Sequence, residues 1–165
     1  RDDARDAPAA PVRPTRDDRE PFMRFRASDG SDILVGRSAR DNETLTFRVA
    51  NGSDRWFHAR DFQGSHVVLR GQRGKEPQAA ALDDAALLAA WFSKGREERA
   101  LDVTTTDVKH IRPAKDAAPG RVHVSNGRTI RVRLDPVKLK RFFPDREFLD
   151  RGPRPKGPPI RRRVS

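Results

Sequence analysis

With 35 Lys and Arg against 24 Asp and Glu in 165 residues, the chain has room for one domain plus tails, and its net charge of +11 draws polyanions such as RNA, DNA or an anionic membrane surface. The absence of cysteine excludes disulfides and thiolate metal sites and fits a reducing compartment, the cytoplasm being expected. No apolar run approaches the roughly 20 residues needed to span a bilayer and the N-terminus lacks a signal-peptide core, so a soluble protein with no membrane partner is expected.

Residues 1–20 are almost entirely Arg, Asp, Ala and Pro and predict a disordered linker. The chain opens on Arg in low-complexity sequence, which reads as the C-terminal portion of a longer polypeptide. A domain is expected over 21–143. Phe22, Arg24 and Arg26 alternate with Met23, Phe25 and Ala27, then come the turn cluster Ser28–Asp32 and the run Ile33–Arg37, which together predict two strands joined by a turn. Ser38–Asn42 offers N-cap residues before Leu45 and Val49 at helical spacing, so a short helix is expected, although Thr44, Thr46 and Phe47 suit a strand equally.

The stretch Asp54–Arg70 organises the rest. Trp56, Phe57 and His58 predict one strand and Val67–Leu69 the next, joined by a loop over 60–64. Strict pairing then sets Trp56 opposite Val68 and His58 opposite His66, the two imidazoles being cross-strand neighbours roughly 5 Å apart at Cβ. Gly36 and Gly64 read as structural turn residues. After a polar loop at Gly71–Pro77, Asp83 reads as the cap of a helix with Leu82 as its staple, Leu87, Leu88 and Trp91 forming the buried face, and Gly95 near its end.

Leu101–Thr105 and Val108–Arg112 predict two extended segments, followed by a turn at Pro119-Gly120. A three-residue loop of Asn126, Gly127 and Arg128 predicts a last hairpin in which Val124 faces Ile130 and Val122 faces Val132, leaving Arg121, His123, Arg131 and Arg133 on one basic face. Asp135-Pro136 opens a short helix bearing Val137, Leu139 and Phe142. Residues 144–165 read as a basic Arg/Pro-rich tail; from Pro136 onward ten basic side chains face three acidic ones, which is most of the net charge. The sum is an α+β fold, mainly antiparallel sheet built from hairpins with two or three helices, in a single compact domain with disordered tails.

The segments Pro21-Phe22 to Asp29-Gly30, Ile33–Arg37, Asn42 to Leu45-Thr46, Asp54 to His58, Gly64–Val68, the Ala-rich helix ending Trp91-Phe92-Ser93-Lys94, and Lys109 to Pro113 with Pro119-Gly120 resemble, in order and spacing, the NFACT-R domain. This is the C-terminal RNA-binding module of the NFACT family, whose long members include ribosome-associated quality-control factors and often carry the label fibronectin-binding protein. The resemblance runs from about residue 21 to 134 and implies RNA partners, rRNA or tRNA, on the large ribosomal subunit. Other such domains occur alone and are linked to tRNA modification. The tRNA-gripping N-terminal domain and coiled coil of the long members are not in this sequence, so tailing of nascent chains is not credited to it. Near Leu101-Asp102-Val103 the chain departs from the family's Pro-Val-Asp-Tyr-like run.

No catalytic set, metal site, P-loop or dinucleotide fingerprint stands out, and no cofactor is expected. A non-catalytic RNA-binding module is the reading the residues support. Arg37, Arg40, Arg60, Arg121, Arg131 and Arg133 attract phosphates; Trp56, His58 and His66 stack on or hydrogen-bond to bases. Asn42, Ser65 and His123 complete the RNA-binding candidates. The competing readings are a histidine-based RNA-processing enzyme using His58 and His66 as acid and base, and an adhesion or scaffold protein that uses its tails.

Overall fold

The computed structural model describes residues 20–72, 74–115 and 118–149; the linker reading of residues 1–19 and the tail beyond 149 lie outside them. Two-residue alternation builds the first half. Phe22–Arg26 (β1) and Asp32–Gly36 (β2) pair antiparallel with Arg24 opposite Leu34, around a turn in which Gly30 holds φ +86°. Arg55–Ala59 (β3) and Val67–Leu69 (β4) pair with Trp56 opposite Val68 and Phe57 opposite Val67, the register expected from their side-chain pattern. Between β2 and β3, Ala39–Thr44 (α1) starts at Ser38, whose hydroxyl accepts the Asp41 N–H at 3.1 Å. It runs on into a π-helical turn, Leu45–Val49, closed by the Ala50 N–H on the Leu45 carbonyl at 2.9 Å.

Ala100–Asp107 (β5) pairs with β3 and continues through a 3-10 turn, Val108–His110, into the short Ile111–Pro113 (β6). The segment expected to be extended over 108–112 is therefore strand only from Ile111. Val122–Val124 (β7) and Arg128–Arg133 (β8) do not form the predicted hairpin. β7 pairs with β6 in a separate two-stranded sheet, and β8 pairs with β5, Val132 facing Leu101 and Arg131 facing Asp102. The physical reason is length: β5 leaves an eight-residue edge to be paired, which the six residues of β8 cover, whereas three-residue β7 cannot. The main sheet has the order β1-β2-β4-β3-β5-β8 and is antiparallel throughout, giving the α+β fold expected.

One face of this sheet packs on Ala79–Trp91 (α2). Ile33, Val35, Phe57, Val67, Leu69 and Val103 point to it, and the helix answers with small Ala and two Leu side chains, so backbone and sheet approach closely. The helix begins four residues before the expected cap: Gln78 precedes it without a side-chain bond, Ala79-Ala80-Ala81 carry the first turn on propensity alone, and Asp83 and Leu82 lie inside it. The carboxylate that matters is its neighbour Asp84, 6% exposed, which accepts the Ser28 N–H at 2.8 Å and Arg141 at 2.6 Å. That ion pair docks Pro136–Phe142 (α3), whose Asp135 cap accepts the Val137 N–H at 2.9 Å. Leu139 is buried as expected, but Val137 is 79% exposed, because Leu139 and Phe142 already fill the space over α2. Beyond the helix, Phe143 and Phe148 continue the same layer, with Phe148 edge-on to Trp91 at 5.1 Å. Trp91 packs against the core, as its place on the apolar stripe implies.

The opposite face carries a smaller core of Phe22, Leu34, Leu45, Trp56, Val68 and Ile111, covered by the π turn and the β6–β7 ribbon. Over β5 and β8 this face is left open, since Asp102, Thr104, Thr129 and Arg131 project from it and none is buried.

Candidate nucleic-acid interface

Where the covered and open halves of that second face meet, the sheet forms the floor of an open cleft of about 1290 Å³. Trp56 and His58, two residues apart on β3, point the same way, and Thr104 stands opposite His58 on β5. The rings lie parallel, 9° apart with centroids at 5.8 Å, and His66 meets both edge-on, at 5.2 Å from Trp56 and 5.7 Å from His58. The predicted imidazole pair is therefore real, but β4 joins the ladder only from Val67, so the two histidines sit just beyond its Phe57–Val67 rung.

The walls come from four segments. The loop after β3 reverses at Asp61, which holds φ +64°, and Ser65 donates its backbone N–H to the Phe92 carbonyl at 2.9 Å. Gly64 does not hold a positive φ. It is glycine because the end of α2 lies against it: a Cβ there would stand 2.8 Å from Ser93 Cβ and 3.0 Å from the Phe92 carbonyl oxygen. Gly36 is likewise no turn but the last residue of β2, where a Cβ would run into Asn42 Oδ1. Residues 118–122 close the cleft from above, with Gly120 at φ +85°, its N–H donated to Glu43 at 3.2 Å and a Cβ barred by the Ala39 carbonyl oxygen.

Of the predicted site residues, Arg37, Asn42, Trp56, His58, Arg60, Ser65, His66 and Arg121 line the cleft, with Gly64. Arg40, His123, Arg131 and Arg133 do not, and the loss of the β7–β8 pairing separates Arg121 and His123 from Arg131 and Arg133. Arg131 and Arg133 lie on the open face of β8, Arg131 donating to Asp102 at 3.3 Å.

Three of the lining residues spend their polar groups on the protein itself. Asn42 accepts the His66 N–H at 3.0 Å and donates to the Gly64 carbonyl at 3.4 Å; Ser65 donates to the Gly36 carbonyl at 2.7 Å; His66 Nδ1 lies 2.8 Å from Thr46 Oγ1. His66 is 2% exposed, and burial, then the neighbouring His58, push its pKa down to about 3, the backbone of Gly120 and Asn42 pulling weakly the other way. His58 is only partly buried; burial also lowers its pKa, partly offset by the Ala59 and Gly64 backbone. Both rings are neutral at neutral pH.

The charge sits on the rim. Arg37, Arg60, Lys94, Arg96 and Arg121 line the cleft against a single carboxylate, Asp61. Among the described residues the side chains of Arg37, Lys94 and Arg121 make no ion pair, Arg60 only reaches Thr129 at 3.5 Å, and Arg96 lies over the Trp91 ring at 5.3 Å. Lys94 and Arg96 were not among the expected site residues, although Lys94 closes the Trp91-Phe92-Ser93-Lys94 motif; both lie just beyond the helix end, next to the glycine-marked loop. The buried Trp56 Nε1 has no hydrogen-bond partner among the described residues. No group of three or more His, Cys, Asp or Glu among them is placed to hold a metal ion, and no helix among them is long and apolar enough to cross a membrane.

Residues 21–126 match the family described as NFACT protein RNA binding domain. The chain is 40% identical over 122 residues to the Rqc2 homolog RqcH of Streptococcus pneumoniae and 38% identical over 120 residues to that of Bacillus subtilis, covering 73% and 71% of this chain but 22% and 20% of those proteins. It spans about a fifth of the length of these relatives. The C-terminal part of the fibronectin/fibrinogen-binding protein from Streptococcus suis has a similar structure, with a TM-score of 0.68 at 36% identity, over 75% of this chain and 49% of that one.

Proposed function

Since the chain belongs to the family of NFACT protein RNA-binding domains, we propose that it is a non-catalytic module that brings a protein of ribosome-associated quality control onto the RNA of the large ribosomal subunit or tRNA. The likeness to RqcH supports the setting, and the cleft supports the mode of binding. The observation that carries the reading is the division of labour there: cations without ion-pair partners on the rim, neutral rings on the floor. Guanidinium groups held at a rim meet phosphates without first having to break an ion pair, and releasing the phosphates' counterions supplies salt-dependent affinity. Arg37, Arg60 and Arg121 are the inner phosphate contacts in this reading. Arg131 and Arg133 on the open face of β8, with Arg40 and His123 outside the cleft, extend the basic track. Asn42, Ser65 and His66 serve it by holding the floor in place.

The test is RNA binding by the whole chain across a salt series, with Arg37→Glu/Arg121→Glu beside it. Two lost phosphate contacts should flatten the log-affinity against log-salt slope by about 1.4 on single-stranded RNA. A chain that binds equally well with both arginines reversed, yet not at all without residues 150–165, would leave the basic tail as the binder.

A further inference from the structure

Within that RNA-binding reading, on which this step rests, the cleft's shape selects among RNA forms. We propose that its His58 end is a subsite for one unpaired nucleobase, stacked on the His58 ring while the flanking phosphates lie on Arg37 and Arg121.

Trp56 lies parallel to His58 and His66 stands against it edge-on, so the exposure that the ring retains is toward the cleft. The indole is buried among Leu34, Leu45 and Val68, which holds the His58 ring that lies parallel to it. A heteroaromatic ring held parallel to a buried indole in a cleft is a stacking platform, and its depth decides what reaches it. The α1 start, the loop after β3 and residues 118–122 rise around it. A duplex offers its phosphate ridges and base edges but keeps its base faces covered by their neighbours, so only a base from a loop, bulge or free end can lie on His58. The ring's neutrality suits this role, because an uncharged imidazole both donates and accepts toward a base edge. Arg37 and Arg121 both line the cleft and belong to segments that touch through Gly120 and Ala39.

The experiment uses the full chain, a short fluorescein-labelled RNA strand, and the same strand annealed to its complement, at one salt concentration. Wild-type protein should prefer the single strand, and His58→Ala should lower that affinity about 5- to 100-fold while duplex binding stays within about twofold. His58→Phe, which keeps a stacking face, should restore most of the preference. A second arm leaves His58 intact: Trp91→Phe makes Trp56 the sole indole of the chain, which has two Trp, and its emission should change with the single strand but not with the duplex. Equal binding of the two RNAs, with His58→Ala lowering both alike or neither, overturns the base subsite and leaves RNA binding standing. Failure of the wild type to bind either RNA overturns the RNA reading itself.

Discussion

Thr46 Oγ1 lies 2.8 Å from His66 Nδ1, which joins the π turn after α1 to the floor of the cleft. The bond sits in the interior, both residues being at most 2% exposed. Replacing Thr46 with Val leaves a buried ring nitrogen unsatisfied and should cost about 1–3 kcal/mol in chemical denaturation. Because the fold depends on that nitrogen before any ligand does, RNA affinity of the folded variant should change less than its stability; the reverse pattern would assign Thr46 to the interface.

The same burial predicts an acid-sensitive fold. His66 takes up a proton near pH 6.5 in the unfolded chain and only at about 3 when folded. Between those values the unfolded chain holds more protons, so the stabilising effect is complete above about 6.5 and is lost as pH falls, at about 1.4 kcal/mol per pH unit. His58, shifted the same way, adds to the slope. Urea midpoints at pH 7.5 and pH 5 check this; a midpoint indifferent to pH over that interval would refute a neutral buried His66.

Gly64→Ala should destabilise although its backbone is not left-handed. The added methyl presses on Ser93 Cβ and the Phe92 carbonyl at the end of α2, and overpacking of this kind costs about 1–3 kcal/mol. Gly36→Ala should also disturb the cleft, since its methyl displaces the Asn42 side chain that holds the His66 backbone. Thermal melts give the stability loss in each case, and an alanine at Gly64 that melts like wild type would rule out the close packing.

The boundary of the folded unit is testable at Phe148. Ending the chain after residue 143 removes Phe148 from Trp91 and Arg146 from over the same ring, at 4.8 Å. Loss of that aromatic pair should cost about 0.5–1.5 kcal/mol beyond the buried area, and ending the chain after residue 149 should cost nothing comparable. Equal melting of the two truncated chains would mean that residues 144–149 contribute no packing.

Asp84 should prove more sensitive than its partner. Asp84→Ala strands the Ser28 N–H and Arg141 together, whereas Arg141→Ala removes a half-exposed guanidinium whose charge water already screens. The first should cost about 2–3 kcal/mol and the second under about 1. A double-mutant cycle isolates the pair; a larger loss for Arg141→Ala than for Asp84→Ala would contradict this ranking.

The sequence is most legible where a strand's own alternation decides its face. Trp56, His58, Val67 and Val68 leave one register that keeps the apolar residues inside, and that register brings the two rings together. It misleads at β7 and β8, where Val122, Val124, Ile130 and Val132 make a convincing local hairpin around Asn126-Gly127. The true partner of β8 is β5, whose open edge is a property of the whole sheet and not of any window around the turn. Helix α2 shows the same limit at smaller scale: Asp83 has the chemistry of a cap, but an Ala run needs none. At the site, most of the residues singled out by type line one cleft, but their bonding partners do not follow from type. Whether Asn42 and Ser65 face a ligand or bind backbone depends on partners far off in sequence, Gly64 and His66 for Asn42 and Gly36 for Ser65.

The strand order also bears on how the molecule is made. Every ladder from β1 to β5 lies between residues 22 and 107, so most of the sheet can assemble as the chain leaves the ribosome. Until residue 133 has emerged, β5 presents a bare eight-residue edge while the β6–β7 ribbon is already closed beside it. A nascent chain halted in that interval displays an invitation to edge-to-edge pairing with its neighbours. Synthesis of β8 withdraws it.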